Sequence, residues 1–288
     1  MLSRILAAPF VIITFIILYL TWEYDTDWAP YMIPCVLVMA MLFVFSPQID
    51  FWWASRNTPE LKPKLRMILT KQHPFYRGLS ESEQKRFRDR VVLYMMANEF
   101  MPQKMESVPP DLQAIVAANI VQLTFGQKDF LLSAFENVII YPRPFPSPQY
   151  PTNFHTSEIF VEDKVLLFAI EQLVPGTFNP KKHYNIGLHE YIRAYLHMYP
   201  NNIFTKLEES DWEKLEEISS WSKEHIFKHI NRPDIDILPV SICHFFVFGE
   251  QFKMVMPEVY EVYRKVFNME TGGDGVEPVV SGTFLKKE

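Results

Sequence analysis

The residues best equipped for chemistry are His189 and Glu190, inside the phrase NIGLHEYIR at 185–193. Apolar residues at Ile186, Ile192 and Leu196 predict one helix, opened by Asn179-Pro180 and closed by Pro200. The pair is one residue short of the pattern H-E-x-x-H. In that pattern two histidines four apart share a helix face and bind zinc, and the glutamate acts as general base on the metal's water. Here the second histidine is Arg193. A guanidinium stays protonated and offers no lone pair to a metal. His197 cannot replace it, because eight residues rise about 12 Å along a helix while both ligands must lie about 2 Å from one ion. No glycine turns the chain between them, and His183, six residues before His189, points to another face. Taken alone, the pair also suits an ordinary solvated helix face.

Other chemistries find little material. Nine glycines form neither a GxGxxG nor a GxxxxGK[ST] phosphate cradle, and the GxSxG serine elbow is absent. A formal charge of -6, from 28 basic and 34 acidic residues, excludes a nucleic-acid partner, which would need clustered cations. Cys35 and Cys243 are too few for a disulfide scaffold or a cysteine zinc site, which points to a reducing compartment. His155, His225 and His229 read as surface or loop histidines.

The elements that must position the pair are helices around a small sheet, an α+β arrangement. Ser80 with Glu83 forms a capping box for a helix to about Glu99, and Pro109-Pro110-Asp111 opens another that stops at Gly126. Val138 to Tyr141 reads as a strand, and Glu158–Val161 and Val165–Phe168 flank Glu162-Asp163-Lys164 as a hairpin. The Pro-dense stretch 142–152 has two readings, an extended loop packed on the sheet or a ligand for a polyproline-binding partner. Ser210 and Glu213 suggest a second capping box for a helix to about Ile230, and two closing helices span 238–256 and 257–268.

The order of these segments resembles the Mlc titration factor A family of zinc metallopeptidases, named for its action on a glucose-regulated repressor. Four phrases carry the resemblance: LSESEQKRFRDRVVLYMMANEF, VIIYPRPF, NIGLHEYIR and the later HFFVFGE at 244–250. It covers about Phe75 to Asn268 and implies a zincin-like fold. Carried over by position, His189 matches the first zinc ligand, Glu190 the general base, Arg193 the second ligand and His244 the third, where the family has glutamate. Zinc is thus the implied cofactor, and Arg193 argues against it. Two readings of Arg193 stand, a pairing with Glu190 three residues back or a solvent-facing residue. His244 likewise reads as a ligand or as a hydrogen-bonded histidine on a Phe-rich helix.

Ahead of this domain, Ile5–Trp22 and Pro30–Ile49 carry no charge and are each long enough to cross a bilayer. Arg4, Arg56, Lys62, Lys64 and Arg66 flank the pair, and the loop Glu23–Trp28 has no Lys or Arg. The positive-inside rule then puts both termini in the cytoplasm of an inner or plasma membrane protein. The expected organisation is a two-span anchor over 1–56, a juxtamembrane linker over 57–74, a metallopeptidase-like domain over 75–270 and a flexible tail over 271–288. The membrane is one expected partner, and a peptide or protein at the cytoplasmic face another. Function divides between a pseudopeptidase acting as a binding or regulatory module and an active peptidase with an altered ligand set.

Overall fold

The computed structural model describes residues 2–233 and 235–269. The tail expected over 271–288 lies outside them. Contacts divide the chain into two units, Met1–Leu61 and the residues from Lys62 onward.

The first unit is helical: α1 (Leu2–Glu23), a 3-10 turn (Thr26–Tyr31), α2 (Met32–Val44) and α3 (Ser46–Arg56). The stretches Leu2–Glu23 and Thr26–Val44, of 22 and 19 residues, are long and apolar enough to cross a membrane. Their large side chains point outward, with Trp22 89% and Phe43 80% exposed, as lipid-facing residues would be. Asp25 caps the turn between them by accepting from the Asp27 amide. The second apolar run was expected to continue to Ile49. It breaks at Phe45 because Pro47, which has no N–H to give, starts α3.

The stretch expected as a juxtamembrane linker, 57–74, contains helix from Pro63 onward. Pro63 opens α4 (Pro63–Gln72), which buries Leu65 and Leu69, and α5 (Pro74–Arg77) follows. Helix α6 (Glu81–Ala97) begins at the expected capping box: the Ser80 hydroxyl accepts from the Glu83 amide, and Glu83 accepts from the Ser80 amide at 2.9 Å. Its apolar stripe, Phe87, Val91 and Tyr94, is fully buried against α7 (Pro110–Leu123).

Four strands form one mixed sheet in the order β1-β2-β4-β3. β1 (Glu99–Pro102) and β4 (Val165–Ala169) pair parallel with β2 (Asn137–Tyr141), and β3 (Ser157–Phe160) closes the expected hairpin antiparallel to β4. β1 has no counterpart among the expected strands, since EFMP is four residues long and ends in proline. The Pro-dense stretch packs back on the sheet: Phe145 is buried, stacks on Tyr141 at 4.1 Å and bridges to His155.

Beyond β4 the chain is mostly helical. α8 (Ile170–Phe178) contains Pro175 and was masked in the sequence by that residue. The helix expected from Asn179 instead starts at Ile186, so His183 lies in the preceding loop. Asn185, not Asn179, caps α9 (Ile186–Met198), its side chain accepting from the Leu188 amide at 3.0 Å. The single helix expected over 210–230 is two, α10 (Asp211–Ser219) and α11 (Lys223–Ile230), parted by Ser220 at φ 62°. Ser210 makes no side-chain cap, and Asp211 at the first helical position accepts from the Glu208 amide ahead of the helix. α12 (Ile237–Val247), α13 (Gly249–Val255) and α14 (Pro257–Val266) complete the unit, with a break at Phe248 inside the expected 238–256 helix.

Candidate functional site

Helix α9 lies at the centre, packed against α7, α8, α12 and the edge strand β3. It comes this close because residue 187 is glycine: a Cβ there would sit 2.8 Å from the Asn119 amide on α7 and 2.7 Å from Leu173 on α8. Every residue from Ile186 to Ile192 is consequently buried, His189 and Glu190 among them. The pair does not sit on a solvated face.

Glu190 is held on both oxygens. Oε2 accepts from Arg193 Nη1 at 2.9 Å, and Oε1 accepts from Arg232 Nη1 and from the Ser157 hydroxyl, each at 2.9 Å. The side chains of Glu190 and Arg232 are fully buried, and that of Arg193 is 24% exposed. Burial by itself pushes a carboxyl upward; here Arg232, Arg193, His189 and the Ser157 hydroxyl outweigh it and lower the pKa to about 2. Glu190 is therefore a permanent anion at neutral pH, a poor proton acceptor compared with a base poised near 7. Of the two readings of Arg193, pairing is the one the structure contains.

His189 Nδ1 lies 2.7 Å from the Tyr184 hydroxyl, whose pKa burial raises well above the usual value. On α12, His244 is also buried, and its Nδ1 donates to the Val240 carbonyl at 2.8 Å. Burial lowers the His244 pKa to about 4, so at pH 7 the ring is neutral, with a lone pair on Nε2 that meets no hydrogen-bond partner among the described residues. Trp221, placed by the kink at Ser220, has its ring 5.8 Å from that of Tyr184 and 6.2 Å from that of His244. Tyr184 and Trp221 thus set an aromatic wall beside the two imidazoles.

Tested against a zinc ion, this donor set falls short. Among the described residues no three of His, Cys, Asp and Glu are arranged to hold a metal, and Arg193 occupies the helix position four residues from His189. His244 has the tautomer of a ligand, but one prepared imidazole does not make a site.

Sequence reasoning missed Ser157, Tyr184 and Arg232. Arg232 follows the α11 cap Asn231 in an Asn-Arg-Pro turn, a context common on surfaces, and only the tertiary fold turns it inward. His155, expected at the surface or in a loop, lies in the segment before β3 and is wholly buried. Its Nε2 is 3.0 Å from Glu158 Oε2, and its ring lies between those of Phe145 and Tyr150. His225 is exposed as expected, whereas His229 is half-buried.

A buried His-Glu pair on a helix that runs under the edge strand of a small mixed sheet defines a metallopeptidase-like domain. The sequence profile of the glucose-regulated metallo-peptidase M90 family matches residues 50–194, and the chain belongs to that family. The match takes in all four strands, His189, Glu190 and Arg193 and stops before α12. No curated protein matches the chain.

Proposed function

We propose that this protein is a membrane-tethered M90 domain that has given up hydrolysis and acts as a binding or regulatory module at the cytoplasmic face. The observation that carries the reading is the state of Glu190. Two guanidiniums and a hydroxyl engage both carboxylate oxygens and hold the group at low basicity, so positive charge comes from fixed side chains and Glu190 is a weak acceptor for a water's proton. The experiment is elemental analysis and peptide cleavage on the purified full chain and on Arg193→His. The wild type should carry little zinc and cleave nothing, while Arg193→His, with an i, i+4 histidine pair on α9 and His244 on the helix α12 packed against it, should gain metal. Stoichiometric zinc in the wild type, with cleavage lost in His189→Ala, would overturn the proposal.

A second reading, an active zinc peptidase with an altered ligand set, draws support from one observation. The His244 ring is neutral, anchored through Nδ1 to a backbone carbonyl, and presents a buried Nε2 lone pair, as metal-ligating histidines do. The same zinc measurement on the wild type separates the two.

A further inference from the structure

Away from Glu190, a cavity of about 380 Å³ opens between α5, α7, the end of α8 with its following loop, and the end of α12. That volume is in the range of small-molecule sites. Pro74, Phe75, Phe178, Phe246 and Val247 give it apolar walls. Two polar features break the apolar surface. Gln122 lines the cavity at 7% exposure, and its side-chain amide hydrogen-bonds to no described residue. The contrast with Asn119, one turn earlier on the same helix, is direct: that amide donates to the Ile115 carbonyl and the Thr177 hydroxyl, both at 2.9 Å. Thr177 also lines the cavity, but its own proton already goes to the Leu173 carbonyl. The second feature is a pair of exposed lysines at the mouth, Lys181 and Lys182, with no acidic partner among the described residues.

An amide presented to a cavity with no protein partner can exchange its water for the donor and acceptor of a ligand. The walls call for an apolar body, the amide for a group that accepts and donates, and the ammoniums for negative charge. Two ammoniums on exposed stems and one amide, with no guanidinium fork among the lining residues, suit a carboxylate better than a phosphate, which is favoured by bidentate donors. We infer that this cavity binds a small amphipathic carboxylate, with an aryl or alkyl body among Phe75, Phe178 and Phe246 and its head group served by Gln122, Lys181 and Lys182.

The test uses the full chain in lipid nanodiscs and 3-phenylpropanoate carrying a 4-fluoro label, followed by fluorine NMR. The matched alcohol, 3-(4-fluorophenyl)propan-1-ol, and empty nanodiscs report partition into lipid. The acid should bind saturably and the alcohol at least about tenfold more weakly, because the alcohol lacks the charge. The double variant Lys181→Gln/Lys182→Gln, altered only at exposed positions, should weaken the acid about fivefold and leave the alcohol unchanged. Gln122→Leu should weaken the acid while melting no lower than the wild type, since it removes an amide that lacks a partner. The inference fails if the acid shows no saturable binding up to about 10 mM. It also fails if acid and alcohol bind alike, or if the acid binds both variants as it binds the wild type.

Discussion

Arg232 Nη1 stands 2.9 Å from Glu190 Oε1 and 2.9 Å from the Ser157 carbonyl, so a single guanidinium nitrogen joins helix α9 to the edge strand β3. Breaking a buried charge pair leaves its partner unsolvated, which typically costs about 3–5 kcal/mol. Arg232→Ala and Glu190→Ala should each lower stability by that amount. Arg193→Ala, whose side chain reaches solvent, should cost about 1 kcal/mol. Denaturant unfolding of the full chain in detergent checks the ranking, and an Arg193 variant as damaging as the Arg232 variant would contradict it. A corollary concerns enzymology: loss of activity in Glu190→Gln is not evidence of base catalysis unless the variant is shown to be folded.

The histidine that caps α5 gives a pH dependence. His73 is buried, its Nδ1 accepts from the Tyr76 amide, its Nε2 meets no partner among the described residues, and burial lowers its pKa from 6.5 to about 4. Between those values the unfolded chain binds a proton that the folded one refuses. Stability is therefore fully present above pH 6.5 and declines as pH falls toward 4, by ~3 kcal/mol for this group. His73→Asn, which keeps a capping acceptor, should flatten that part of the stability profile. An unchanged slope between pH 6.5 and 4 would assign the effect to other groups.

Gly187 sets how closely α9 approaches α7. The Asn119 amide that a Cβ would strike is itself fixed by its bonds to Ile115 and Thr177, so it cannot move aside freely. Gly187→Ala should cost about 1–3 kcal/mol despite the better helix propensity of alanine. Melting of the variant tests this, and a rise in melting temperature would mean that α9 slides without penalty.

Local signals and tertiary ones divide cleanly in this chain. The Ser80–Glu83 capping box, the β3–β4 hairpin and the two apolar N-terminal helices were legible because each is written in neighbouring residues. The Glu190–Arg193 pair was legible for the same reason, as both sit on one helix three residues apart. Arg232 was not, because it meets Glu190 across 42 residues and its own surroundings read as a surface turn. α8 and the kink at Ser220 escaped because Pro175 and an unbroken polar-apolar rhythm pointed the other way, and packing overrode both. The burial of His189 and Glu190 depends on Gly187, whose meaning appears only once α7 and α8 are in place.

The last prediction is topological. Reporters inserted in the loop at Asp27 and fused after residue 288 should read opposite sides of the membrane, the first outside and the second cytoplasmic, because the basic residues cluster after the second apolar helix and the loop has none. Replacing Arg56, Lys62, Lys64 and Arg66 with glutamine should weaken that preference and give a mixed population. The substitutions are mild for the fold. Of the four, Lys64 pairs with Asp111 at 3.5 Å while its side chain is 74% exposed, a contact worth less than about 1 kcal/mol. A mixed topology in this variant would therefore report lost orientation and not unfolding. A reporter after residue 288 that is active only on the outer side would overturn the cytoplasmic placement of the domain, and with it the face at which any partner of the Glu190 site must be sought.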